Sequence, residues 1–360
     1  MPVTSNQKRY LFYISQNYSY AILRPLQDEI RKRGSLCAWF LEGKEVNPDY
    51  LRQDEQHLLS IDDVVSYQPD VVFIPGNVVP AFVPGIKVGV FHGFNSGKLN
   101  RRGFEDHFNI RGCFDLYCTQ GPNTTEKFLQ LAKEHQHFSV KETGWPMLDP
   151  LFDSSDEQVN DTLSKASQAK KPTVLMCSTF SRNLTCAPIL FDEVKRLSEQ
   201  GKWHWLVQFH PKMPQEVIAK YKSLEGDNLT FIETDNIIPV LKQADVMLCD
   251  TSSVLMMFLM QARPVVTFNN IAPKDYMLNI SDKAALEQSL EYALSYPKPL
   301  MEKIDQFIAD THPDTDGNAA QRILAACDEM LAGNNVPSKR KPLNLLRKFK
   351  MRKKLGYWKF

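Results

Sequence analysis

Residues Val246–Met256 read VMLCDTSSVLM. The first four residues form an apolar run that reads as a buried strand, and Asp250-Thr251-Ser252-Ser253 as the turn at its end. The apolar residues that follow at once read as a helix. A strand with no polar face, leading into a helix, belongs to a parallel sheet covered on both sides. The same unit recurs outward in both directions. Upstream, Thr173–Cys177, His204–Gln208 and Leu229–Ile232 read as strands, alternating with helical patterns at Ala187–Gln200, Pro214–Ser223 and Ile237–Ala244. Downstream, helix Ser253–Gln261 leads to a strand at Pro264–Phe268, and helical stretches at Lys283–Tyr296 and Asn318–Ala332 close the series.

An earlier series precedes it. Arg9–Ser15, Ser35–Leu41, Asp70–Ile74, Ile86–Phe91 and Phe114–Thr119 read as strands, with a helix at Ala21–Arg33 stopped by Gly34. Between the two series the chain turns polar and small (DSSDEQVNDTLSKASQAKKP). The expected organisation is α/β, with two Rossmann-like domains facing a cleft: residues 1–150, a linker at 151–172, a second domain at 173–336, and a tail at 337–360. In such sheets ligands sit at the carboxyl ends of the strands, so the chemistry belongs in the loops that follow strands.

Composition narrows the class. The 360 residues carry 43 Lys and Arg against 42 Asp and Glu, with 43% hydrophobic residues, an ordinary globular balance. The longest apolar run, Val254–Met260, is far short of the ~20 residues of a membrane span. The start, MPVTSNQKRY, has no apolar stretch behind it, so a secretory signal is not expected. Seven scattered cysteines without a C-x-x-C pair indicate neither a disulfide framework nor a zinc site. A cytoplasmic protein is expected. Ten of the basic residues and no acidic ones fall within Pro337–Phe360, leaving 33 basic against 42 acidic residues before it. Specific nucleic-acid binding by the acidic body is therefore not expected, and any polyanion contact belongs to the tail.

Three loops stand out. Phe91-His92-Gly93 ends a strand with an imidazole beside a glycine that lets the backbone approach a ligand. The long stretch to Cys113 offers Lys98, Arg101, Arg102 and Arg111 to anions. A packing histidine is the plain alternative; the glycines and cations around it favour function. Gln208-Phe209-His210-Pro211-Lys212 puts an imidazole and a cation at one strand end, suited to a phosphate or a leaving group. Asp250–Ser253 offers hydroxyls and free N–H groups at a helix start, although the same residue types are ordinary N-caps. Cys177-Ser178-Thr179-Phe180-Ser181-Arg182 is a similar strand end. Gly144-Trp145-Pro146 reads as a turn. No dinucleotide fingerprint, Walker A loop, G-x-S-x-G elbow, H-E-x-x-H or strand-end Asp-x-Asp is present.

Taken in order, these loops resemble the CDP-glycerol glycerophosphotransferase family of teichoic-acid and capsule polymerases, whose catalytic domain is GT-B-like. The family's Trp-His-Gly, Pro-Thr-x-Arg, His-Pro and Asp-x-Ser-Ser are echoed by Phe91-His92-Gly93, Ser178–Arg182, His210-Pro211 and Asp250–Ser253. Its Asp-Gly-x-Ala is echoed by Asp316-Gly317-Asn318-Ala319. Phe91 and Ser178 stand where the family has Trp and Pro, and the usual Thr-Pro-x-Lys after the glycine is missing. The resemblance implies nucleotide binding on the second domain and acceptor binding on the first. It implies His92 as general base and His210 at the pyrophosphate or departing CMP. Thr179, Arg182, Lys212, Asp250, Thr251, Ser252 and Ser253 would hold the donor, and Gly93, Lys98 and Arg111 would contact the acceptor or a phosphate. No metal or other cofactor is implied. The donor would be CDP-glycerol or a related CDP-polyol, and the acceptor a lipid-linked or cell-surface glycan.

The tail, PSKRKPLNLLRKFKMRKKLGYWKF, reads as a basic helix for the inner face of an anionic membrane. Leu343, Leu345, Leu346 and Phe349 share a side, though Lys350 and Lys353 fall on it too. A disordered solvated tail is the plain alternative. Two other classes stand behind the phosphotransferase reading: a GT-B glycosyltransferase or UDP-sugar 2-epimerase-like enzyme, separated by a UDP leaving group, and a non-catalytic scaffold.

Overall fold

The computed structural model of the chain describes residues 7–95, 103, 105–153, 171–234 and 236–359. It divides into two units, the first formed by Met1–Phe152 with Asp310–Phe360 and the second by Asp153–Ala309.

The first unit carries a seven-stranded sheet: β1 (Arg9–Ile14), β2 (Leu36–Leu41), β3 (His57–Leu58), β4 (Val71–Ile74), β5 (Ile86–Gly89), β6 (Leu116–Thr119) and β7 (Ser139–Glu142). Its order is β3-β2-β1-β4-β5-β6-β7, and every pairing is parallel. The strands follow the apolar runs because central parallel strands are buried on both faces: Leu11, Phe12, Val72 and Phe73 have no exposed surface. The order reverses between β1 and β4, and at that switch the crossovers diverge and open a crevice.

The second unit repeats the plan with β8 (Thr173–Ser178), β9 (His204–Phe209), β10 (Leu229–Phe231), β11 (Val246–Cys249), β12 (Val265–Phe268) and β13 (Leu278–Ile280). The order is β10-β9-β8-β11-β12-β13, again all parallel, with the switch between β8 and β11. Its core joins Val174, Met176, Trp205, Val246 and Leu248 from the strands to Leu190, Val194 and Leu197 of helix Ala187–Gln200. Two α/β units with parallel sheets are what the alternating pattern predicts.

The boundary of the second domain needs correction. The sequence reading ran it to 336, but residues 310–336 cluster with the first unit. Helix Ala319–Leu331 packs against helix Ser19–Lys32. Asp149 accepts from the backbone N–H groups of Ala319 (2.9 Å) and Ala320 (2.7 Å), capping that helix from outside. Ion pairs Lys8–Asp328 (2.5 Å) and Lys141–Glu329 (3.4 Å) add to the seam. Gly121 makes the docking possible, since a Cβ there would lie 2.4 Å from the Thr311 carbonyl oxygen.

The tail is also seated on the first unit. Helix Leu345–Leu355 begins after Lys341, whose ammonium bonds Asp115 (2.6 Å) and the Cys113 carbonyl (3.1 Å). Tyr357 stacks on Phe82 (4.5 Å), and Arg352 lies over the same ring (4.9 Å).

Candidate functional site

In the first unit the site grows from the end of β5. The strand stops at Gly89, and Phe91 takes a left-handed backbone with φ of 56°. That conformation costs an aromatic residue of order 1–3 kcal/mol and persists only where the surroundings enforce it. Here they do. The Trp145 indole donates to the Phe91 carbonyl (3.3 Å), and the Phe91 ring stacks on His107 (4.9 Å, 15°) with Phe128 edge-on (5.2 Å). The turn sends His92 to the surface, its ring 5.9 Å from that of Tyr18, which follows β1. Gln120, after β6, donates to the Gly93 carbonyl (3.2 Å). Loops from β1, β5 and β6 thus converge at the carboxyl edge of the sheet.

Two further histidines stand behind this turn. His107 has its pKa pushed down to about 4, by burial first and by His92 second, and its Nε2 is buried with no partner among the described residues. It serves as a neutral ring platform. His312 is 1% exposed; its Nε2 accepts from the Trp145 backbone N–H (2.9 Å), and burial pushes its pKa down to about 4. Neither was singled out from the sequence, and no short motif marks them. Of the predicted acceptor contacts, Arg111 is committed to the protein, holding Asp106 through both carboxylate oxygens (2.8 and 2.9 Å) and the Asn109 carbonyl (3.1 Å). Lys98, with Arg101 and Arg102, lies outside the described residues.

In the second unit three of the predicted loops follow β8, β9 and β11. His210 Nδ1 accepts from the Lys212 backbone N–H (3.1 Å), so Nε2 carries the proton of the neutral ring and faces outward as a donor. Partial burial and the Lys212 charge lower its pKa. Its ring packs on Phe180 (4.5 Å), over which the Lys212 ammonium also lies (5.7 Å). The β8 and β9 loops are therefore joined by one aromatic residue, with exposed Arg182 close along the chain.

Asp250 departs from the expected donor contact. It has no exposed surface, and its carboxylate accepts from Ser178 Oγ (2.6 Å), the Thr179 N–H (3.1 Å) and the Cys186 N–H (3.1 Å). It ties the β8 loop to the end of β11 at the switch point and is not open to a phosphate. Thr179 takes part through that same backbone bond. Thr251 accepts from the Ile271 N–H (3.2 Å), Ser252 from the Val254 N–H (3.4 Å), and Ser253 is exposed. The helix behind them, Val254–Leu259, has six residues, so its dipole is small and the loop's offer to an anion rests on hydroxyls and N–H groups. Asp316-Gly317-Asn318-Ala319 starts the helix capped by Asp149 in the first unit, and Asp316 pairs with Arg322 (2.8 Å). Among the described residues no three His, Cys, Asp or Glu side chains are placed to share a metal ion.

Residues 100–277 match the family model described as CDP-Glycerol:Poly(glycerophosphate) glycerophosphotransferase. That span includes the β8, β9 and β11 loops; Phe91-His92-Gly93 and Asp316–Ala319 fall outside it. No curated protein matches the chain in sequence. Among solved structures, the wall teichoic acid polymerase TagF is similar with a TM-score of 0.66 at 14% identity, covering 91% of this chain and 90% of that one. S. aureus MnaA in its UDP co-structure is similar at 0.61 and 15% identity, covering 93% and 100%. A glycosyltransferase from Rickettsia africae ESF-5 is similar at 0.54 and 13%, covering 92% and 100%. At these identities the likeness establishes a shared fold, which is GT-B-like.

Proposed function

We propose that the chain is a CDP-glycerol glycerophosphotransferase, the family whose model matches residues 100–277, and that it transfers glycerol phosphate, or another polyol phosphate, from a CDP-activated donor to an acceptor hydroxyl. The acceptor oxygen attacks the β-phosphorus, the bond from that phosphorus to the bridging oxygen breaks, and CMP leaves. His92 takes the proton of the attacking hydroxyl, a step that general-base catalysis accelerates by roughly 10²–10⁴. The acceptor is a hydroxyl of a lipid-linked or cell-surface glycan.

The donor side rests on the second unit. His210 offers an outward Nε2–H to a phosphate oxygen or the departing CMP, and Lys212 and Arg182 offset the developing charge. Thr251, Ser252 and Ser253 line the same strand-end edge. A structure of a TagF variant with CDPG is among the similar folds, which supports a CDP-linked donor here. The observation that carries the reading is the family match across the three strand-end loops that hold Arg182, His210 and Ser252.

The tail adds a membrane contact. Leu343, Leu345, Leu346 and Phe349 are 57–81% exposed beside Lys350 and Lys353, an apolar and basic surface suited to anionic lipid at the inner face of the cell membrane. No helix among the described residues is long and apolar enough to cross a membrane.

The test is nucleotide release by purified protein given CDP-glycerol, CDP-ribitol or a UDP-sugar panel with lipid-extract acceptors. CMP from a CDP-polyol, lost in His92→Ala, supports reaction class and base together. UDP from a sugar donor moves the chain to glycosyl transfer or epimerisation on the same fold, and no binding of any nucleotide overturns the enzymatic reading.

A further inference from the structure

Lys341, Asn344 and Arg347 of the tail all turn towards one segment of the first unit. Each holds the segment Glu105–Asp115. The Lys341 ammonium bonds Asp115 (2.6 Å) and the Cys113 carbonyl (3.1 Å), and Asp115 in turn accepts from the Lys87 N–H (2.8 Å) at the start of β5. Asn344 donates through its amide to the Arg111 carbonyl (3.1 Å), and the Arg347 guanidinium donates to the same oxygen. Gly112 is the seat: a Cβ there would lie 2.4 Å from Pro342 Cγ, and its φ of 65° is one that glycine tolerates.

The far side of that segment faces the turn before His92. Arg111 fixes Asp106 through two bonds, and the neighbouring His107 is the ring on which Phe91 stacks. Glu105 accepts from the Asn95 amide (3.1 Å), so the segment also grips the chain just after His92. The strained Phe91 backbone is therefore held from one side by Trp145 and from the other by a segment whose outer carbonyls are held by the tail.

We propose that Lys341, Asn344 and Arg347 are positioning residues for His92, acting through Glu105–Asp115, so that the tail is part of the acceptor-side machinery as well as a membrane contact. The proposal rests on the reading of His92 as the base. Contacts that share one rigid loop are coupled, because a shift of the loop is felt at each of its fastenings. Removal of the tail's grip lets the segment slide, loosens the stack under Phe91, and widens the range of positions His92 takes.

The experiment uses the full chain in detergent without vesicles, so membrane recruitment plays no part. Wild type, the Asn344→Ala/Arg347→Ala double variant and Arg347→Lys are compared by three readouts. They are the rate of diethylpyrocarbonate modification at His92, read by mass spectrometry against the other histidines; CMP release from CDP-glycerol; and amide protection of Leu116–Thr119. The expected result is a selective change in His92 reactivity and a kcat about tenfold lower, as a displaced catalytic group gives. KM for the donor and amide protection stay as in wild type, and Arg347→Lys, which keeps Asn344 and a cationic donor at 347, stays near wild type in kcat. Unchanged His92 reactivity in the double variant overturns the proposal, and so does a fall in kcat that comes with lost protection. If wild type releases no CMP, the assigned reaction fails, while the modification rate still decides whether the tail positions His92.

Discussion

Acidification tests the architecture behind the His92 turn through His312. This ring is 1% exposed, lies between Phe94 and Phe152, and keeps Nε2 unprotonated to accept from the Trp145 N–H. Burial pushes its pKa down to about 4, against an ordinary 6.5. A group whose folded pKa is depressed is protonated first in the unfolded chain. Its contribution is therefore complete above pH 6.5 and is lost as pH falls towards 4. At ~1.4 kcal/mol per pH unit for one proton, the loss between pH 7 and 4.5 is about 2–3 kcal/mol. Asp149 acts oppositely: burial raises its pKa to about 6, so its contribution is complete below its ordinary value of 3.8 and is lost as pH rises through 6. Acidification returns roughly 2 kcal/mol from Asp149, so wild type alone conceals the effect. The comparison is with His312→Gln, whose amide oxygen still accepts from Trp145 but takes no proton. Urea titrations at pH 7 and 4.5, followed by amide protection of Leu116–Thr119, read the first unit by itself. Wild type should lose about 2–3 kcal/mol relative to the variant over that range. A constant difference would refute a neutral buried His312.

Further outcomes follow from the same contacts. His92→Ala should lower CMP release by roughly 10²–10⁴ with little change in donor KM, checked by steady-state kinetics. Asp250→Asn replaces a carboxylate that accepts several bonds with an amide that must aim a donor at N–H groups. It should cost about 1–3 kcal/mol in urea unfolding of the second unit, and a donor KM that changes while stability does not would contradict its buried role. Gly121→Ala should destabilise the first unit by ~1–3 kcal/mol through the clash with the Thr311 carbonyl, and wild-type stability would contradict that close approach. Leu345→Ser with Leu346→Ser should weaken co-sedimentation with anionic vesicles while CMP release in detergent persists, and undiminished vesicle binding would remove the tail as the lipid contact.

The sheets were legible because strands buried on both faces leave apolar runs that polar segments cannot imitate, as RYLFYI at β1 and VMLC at β11 show. Edge strands were not. SVKE at β7 and LNI at β13 have one neighbour each and partial exposure, so their composition carries little constraint. The path of residues 310–336 was invisible for another reason. The apolar stripe of helix Ala319–Leu331 declares that it covers something, but only the caps at Asp149 and the space left by Gly121 decide which sheet.

The strand-end places of His92 and His210 were legible in the sequence, whereas the groups that hold them were not. Phe91 is an unremarkable aromatic in sequence, and its left-handed backbone is set by partners 16, 37 and 54 residues away, at His107, Phe128 and Trp145. Asp250 misleads for a related reason. A carboxylate at the start of a polar turn invites a ligand role, yet at the crevice between β8 and β11 the Thr179 N–H has just left its strand and the Cys186 N–H stands at the start of the next helix, and each needs an acceptor. One buried acceptor satisfies both and fixes the two ends of the β8 loop, which carries Phe180 beneath His210. The acid of the motif thus builds the floor of the strand-end crevice, and only the hydroxyls that follow it are left for the donor contact proposed above.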